Sequence, residues 1–142
     1  MAARGLDHDL KVKREANYDK DLEARCRTWV EAVTGTTLAD DWNEALKDGT
    51  VLCSVINTIQ PGTIKKVNNS SMAFRQMENI GFFLEAAASF GVASTSLFQT
   101  VDLYEANNMG QVNVCIQATS RAATENLGYT GPAIEVNRPA AM

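Results

Sequence analysis

Few residues in this 142-residue chain could do chemistry, and their spacing argues against it. The single histidine, His8, sits in a charged N-terminal stretch with no serine or cysteine placed to use it as a base. It reads as a solvated bystander. Cys26, Cys53 and Cys115 are odd in number, far apart and set among apolar helical positions. They read as reduced, buried thiols and not as a disulfide framework or a zinc knuckle. Asp40, Asp41, Glu44 and Asp48 lack the alternating ligand spacing and loop glycine of a calcium site. They fit a helix start, with Asp40 or Asp41 as its cap. There is no phosphate-cradling glycine loop, dinucleotide fingerprint or helical His-Glu-x-x-His pair. The chain therefore reads as non-catalytic, with no cofactor and no metal.

What remains is charge. Bases cluster at Lys11, Lys13 and Arg14, at Arg25 and Arg27, at Lys65 and Lys66, and at Arg75. Each cluster is either solvated surface or a contact for an acidic partner. Residues 1–27 hold 7 Lys/Arg and 6 Asp/Glu, which leaves 6 against 11 and a net charge of −5 for residues 28–142. Between Arg75 and Arg121 there is no base, while Glu78, Glu85, Asp102 and Glu105 fall in the gap. A broad electropositive face for nucleic acid is thus excluded. No run approaches the roughly 18 apolar residues of a membrane span. The opening MAARGLDHDL lacks the apolar core of a signal peptide. A cytosolic protein without a membrane partner is expected.

The elements that position these bases follow from periodicity. Residues 1–16 have no consistent period and read as a flexible or irregular arm. From Tyr18, the residues Leu22, Cys26, Trp29, Val30 and Val33 keep helical spacing up to Gly35, with acids in the first turns as the helix dipole favours. Trp42, Ala45 and Leu46 mark a short second helix that stops at Asp48-Gly49. Val51, Leu52, Val55, Ile56 and Ile59 mark a third, closed by Pro61-Gly62. Residues 63–71 form a polar loop carrying Lys65-Lys66, the most conspicuous basic point of the body.

The longest helix follows, with Phe74, Met77, Ile80, Phe83, Leu84, Ala87 and Ala88 on its inward face, Ser70 or Ser71 as N-cap and Gly91 as stop. A short helix is expected near residues 101–106. Asn107-Asn108 breaks it before a last helix with Val112, Cys115, Ile116 and Thr119 inward. The domain proper spans 17–127, and 128–142 reads as a surface or disordered tail. Trp29 and Trp42 lie on the apolar phase of their helices and read as core. Strand signals are weak throughout, so the fold class is all-α.

Together, YDKDLEARCRTWVEAVTG, WNEALKDGTVLCSVINTIQPG, SMAFRQMENIGFFLEAAASFGV and LFQTVDLYEANNMGQV resemble the calponin homology domain, in the single-copy form of calponin, transgelin and muscle-protein-20-like proteins. The resemblance runs from about Gly5 to Pro132. It implies a compact fold of four principal helices, here roughly 18–33, 42–59, 72–90 and 109–124, joined by shorter ones. Trp29, Trp42, Leu52, Phe83 and Val112 would be core positions, and Asp48-Gly49 a turn setting one helix against the next.

The resemblance further implies actin-filament association and cytoskeletal organisation, without catalysis or cofactor. In calponin-like proteins a short repeat after the domain supplies much of the filament affinity, and GYTGPAIEVNRP resembles the linker leading to it. In paired domains of the family, filament contact is attributed to the first helix, here near Arg25 and Arg27, and to later helices, here near Leu97 to Glu105. The second region has no base in this chain, and Phe98 and Val101 fit the core better than a surface. The candidate partner-binding residues are Arg25, Arg27, Lys65, Lys66 and Arg75, in a monomer of the cytoplasmic actin cytoskeleton. The alternative is a signalling or scaffold adaptor docking a non-actin protein, such as a kinase or a regulatory segment, with weak or no filament binding of its own. Microtubule association ranks third, for want of a dense basic surface.

Overall fold

The computed structural model describes residues 17–134, and every regular element among them is helical. The expected arm over 1–16, with His8, Lys11, Lys13 and Arg14, lies outside the described residues, as do residues 135–142 of the tail. The helices are α1 (Lys20–Thr34), α2 (Trp42–Leu46), α3 (Thr50–Ile59), α4 (Ala73–Phe90), α5 (Thr100–Tyr104) and α6 (Met109–Leu127), with a single 3-10 turn at Ser94–Ser96.

Helix α1 begins where the Asp19 carboxylate accepts from the Leu22 amide at 2.9 Å, and it ends at Gly35 with φ +69°. Asp41, the second of the two expected caps, starts α2 by accepting from the Glu44 amide at 3.0 Å. The segment 42–59 is two helices and not one continuous rod. The chain breaks at residues 47–49 because Gly49 takes a φ of +78°, which only glycine adopts without strain. Its α-carbon also lies so close to α4 that a Cβ there would meet Asn79 Cβ at 2.6 Å. The break is what lets α3 press against α4.

Two expectations for α4 need correction. Its N-cap is Met72, not Ser70 or Ser71, and no side chain caps it. Ser70 instead accepts from the Met72 amide with its hydroxyl, while its carbonyl takes the Gln76 side-chain amide. The buried face is Asn79, Ile80, Phe83, Ala86, Ala87 and Phe90, rotated from the expected stripe. Phe74 is 54% exposed and Ala88 lies on the solvent side. The apolar period continues one turn past the point where neighbouring helices cover it.

Helix α3 packs on both α1 and α4, and α6 packs against α1, α4 and α5, which closes one core. Phe83 fills its centre, stacked on Phe98 with ring centroids 6.2 Å apart. Val112, Cys115, Ile116 and Thr119 face inward on α6, as their spacing requires. Trp29 and Trp42 are both buried. A polar network crosses this core: the Trp42 indole donates to Asn113 Oδ1, the Asn113 amide donates to the Tyr18 hydroxyl, and that hydroxyl donates to Glu23, each at 2.7 Å. Burial, then the Glu23 carboxylate, raise the Tyr18 phenol above its ordinary pKa.

After α6 the chain does not leave the body at once. Residues 128–134 form a strap: the Trp29 indole donates to the Pro132 carbonyl at 2.7 Å, and the Ile134 amide donates to the Ser120 hydroxyl at 2.9 Å. The Tyr129 amide also returns to the Ala123 carbonyl, closing the end of α6.

Candidate interaction surface

The five candidate bases fall into two groups that the fold keeps apart. Arg25 and Arg27 belong to α1. Arg25 pairs with Asp21 one turn earlier at 3.0 Å, and it borders a groove that the strap shares through Pro132 and Ile134. Arg27 is structurally committed: its two terminal nitrogens donate to the carbonyls of Ala39 and Asp40 at 2.9 and 2.8 Å, and its guanidinium lies over the Trp42 ring at 5.2 Å. It clasps the α1–α2 connection, so truncating it would loosen packing as well as remove charge.

Lys65, Lys66 and Arg75 belong to one unit, formed by the 60–72 loop and the α4 helix along which it runs. The loop is antiparallel to α4. Asn68 meets its first two turns through Arg75, Glu78 and Asn79, whereas Thr63 to Lys66 face Phe82, Glu85 and Ser89 farther along. Arg75 pairs with Glu78 at 3.4 Å and lies over the Phe74 ring at 5.0 Å, which blunts its charge. Lys65 and Lys66 are exposed, and neither has an ion pair among the described residues. They rim a groove of about 420 Å³ against α4.

Two asparagines hold this loop in place. Asn57 on α3 clamps the backbone of Ile64 in both directions, accepting from its amide at 2.8 Å and donating to its carbonyl at 3.0 Å. Asn79 on α4 is fully buried; it accepts from the Asn68 amide at 2.8 Å and donates to the carbonyls of Asn68 and Asp48, both at 2.9 Å. Neither asparagine was singled out from the sequence. The available signal was a polar amide on the apolar phase of a helix, where an unpaired amide would be costly.

The described residues include no group of three His, Cys, Asp or Glu able to hold a metal ion, and no helix long and apolar enough to cross a membrane. All three cysteines are buried and unpaired with one another, and burial pushes each thiol up to about 12. At pH 8 the folded chain is expected to react with iodoacetamide at least ~100-fold more slowly than in denaturant, because so little thiolate forms. Mass spectrometry of the alkylated protein checks this; rapid labelling of any one cysteine in the native state would contradict its burial.

Comparison with known proteins gives a consistent result. The family model for the calponin homology (CH) domain matches residues 20–125. Myophilin of Echinococcus granulosus is 44% identical over 133 residues, covering 92% of this chain and 70% of that protein. Calponin-2 of Homo sapiens is 40% identical over 124 residues, 87% of this chain, and here the chain spans only 40% of the relative's length. Among solved structures, the calponin-homology domain of an IQGAP protein from Schizosaccharomyces pombe superposes with a TM-score of 0.69 at 26% identity, over 82% of this chain and 74% of that one.

Proposed function

The chain belongs to the calponin homology domain family, a family of non-catalytic cytoskeletal proteins, and we propose that it is an actin-filament-associated module whose partner meets the Lys65-Lys66 loop. The cytoskeletal role comes with the family. Filament binding is the finer step, and it rests on the calponin-type kinship that the sequence motifs imply. The observation that carries the choice of surface is the pair of exposed lysines on a pinned loop, neither with an ion pair among the described residues, in a body that is otherwise acidic. An acidic filament is repelled by most of this surface and attracted here, so the pair sets the docking orientation more than the total affinity. Arg75 extends the same unit, while Arg25 is a secondary contact on α1. The module is proposed to act as a monomer in the cytoplasmic actin cytoskeleton, with residues 17–127 as its folded unit.

Co-sedimentation with actin filaments across a salt series tests this. The wild-type chain should pellet saturably at low salt and lose binding as salt screens the lysines. The Lys65→Glu/Lys66→Glu double variant should bind on the order of tenfold more weakly at low salt. Absence of pelleting at low salt, or a variant indistinguishable from wild type, would sink the proposal.

One observation favours the adaptor alternative. Met72 and Phe74 are each 54% exposed at the head of α4, the kind of apolar pair that a protein partner covers. A chain that fails to pellet but loses a non-filament partner on Phe74→Ser would act as an adaptor.

A further inference from the structure

The groove between the loop and α4 offers more than two lysines. Its floor is apolar, made by the nearly closed-off side chains of Ile64 and Ala86 and the half-buried ring of Phe82. Lys65 and Lys66 form one rim, and Glu85 stands on the other. Its volume of about 420 Å³ falls within the roughly 300–1,000 Å³ of clefts that hold ligands.

We propose that this groove takes a short acidic segment of a partner protein, seating one aliphatic or aromatic side chain on the floor and turning its carboxylates toward Lys65 and Lys66. The proposal deepens the functional reading above and rests on its assignment of the lysine pair as partner-facing. Charge complementarity selects this occupant. Arg25, Arg27 and Arg75 each have a carboxylate within 4 Å, whereas the two lysines have none among the described residues. Residues 28–142 carry a net −5, so an acidic segment is disfavoured over most of the remaining surface, and that repulsion supplies specificity.

Preorganisation supports the same conclusion. The two Asn57 hydrogen bonds fix Ile64, and Asn79 fixes the loop at Asn68, so the groove exists before a partner arrives and little ordering cost falls on binding. Glu85 gives the cleft a charge gradient. The carboxylates of the occupant must lie on the loop side, and its edge toward α4 must be neutral or basic.

The test is an NMR titration of the isotope-labelled 142-residue chain with two probes, acetyl-Asp-Glu-Leu-Phe-Glu-Asp-amide and its charge-swapped counterpart acetyl-Lys-Arg-Leu-Phe-Arg-Lys-amide. The acidic probe should shift the amides of Lys65, Lys66, Phe82 and Ala86 saturably, and the basic probe should not. Lys65→Glu/Lys66→Glu should weaken the acidic probe about tenfold, and Glu85→Gln should tighten it about twofold to fivefold. Ser89 is exposed at the end of the groove, so Ser89→Trp should fill the cleft and weaken binding comparably while preserving the native spectrum.

Absence of saturable shifts, equal binding of both probes, or a well-folded Ser89→Trp variant with undiminished binding would overturn the proposal. Filament pelleting without probe binding would sink the groove and leave the filament reading intact. Probe binding without pelleting would do the reverse.

Discussion

Replacing Asn79 with alanine is expected to lower the stability of this protein by about 3–5 kcal/mol, among the largest losses available from one side chain here. Asn79 is fully buried, and its carboxamide makes three hydrogen bonds to main-chain groups: it donates to Asp48 and Asn68 carbonyls and accepts from the Asn68 amide. Truncation leaves those three groups without that partner, and each unsatisfied buried polar group costs about 1–3 kcal/mol. For a chain of this size the loss corresponds to roughly 10–20 °C in Tm. Asn79→Asp separates hydrogen bonding from packing, because it keeps the volume but sets a carboxylate against two carbonyls; it should be at least as damaging. Thermal unfolding followed by circular dichroism measures both. A loss under about 1 kcal/mol for either variant would show that the network contributes little. Hydrogen exchange should also quicken at Asn68 and in the lysine loop before it quickens in α6, since Asn79 holds one end of that loop.

Gly49→Ala attacks the same junction from the other side and is expected to cost about 3 kcal/mol or more. A non-glycine residue held at φ +78° costs roughly 1–2 kcal/mol in backbone strain alone. The added methyl would also stand 2.6 Å from Asn79 Cβ and 2.8 Å from the Ile80 nitrogen, and the second of these is backbone that cannot swing away. Overpacking of this kind adds about 1–3 kcal/mol. Relief requires α3 and α4 to separate, and that separation stretches the bond from Asn79 to the Asp48 carbonyl. The double variant Gly49→Ala/Asn79→Ala should therefore cost less than the sum of the two single changes. Full additivity in denaturant unfolding would mean that the turn and the amide do not share one junction.

Much of this architecture was legible because it is written locally. Tyr18 through Val33 keep one helical phase and Gly35 stops it, so α1 and its buried face could be read directly. The same holds for α3 and for the inward residues of α6. The errors arose where a neighbour decides. Phe74 keeps the period of α4, but burial depends on whether another helix extends over that turn, and among the described residues none does. Asn79 and Asn113 interrupt an apolar face, and no local signal reveals their duty, because their partners lie as far as 31 and 95 residues away in sequence.

The candidate surface divides in the same manner. That Lys65 and Lys66 stand exposed on a loop followed from the polar run around them. That they overhang an apolar cleft did not, because the cleft exists only once the loop lies antiparallel on α4. Arg27 had the composition of a contact residue, and only the carbonyls of Ala39 and Asp40 reveal its structural duty.

The strap has a mechanical meaning. A pull on the chain beyond Ile134 would not load the end of α6 directly; it would first meet the bond to the Ser120 hydroxyl, then the one from the Trp29 indole to Pro132, and only afterwards the closure at Tyr129. Three weak latches in series yield one at a time, so modest tension is spent in peeling seven residues before it can reach the helical core. Under such a pull residues 128–134 would pay out before the helices did, and Trp29, whose indole the second latch releases, would be the optical gauge of how far they had been drawn out.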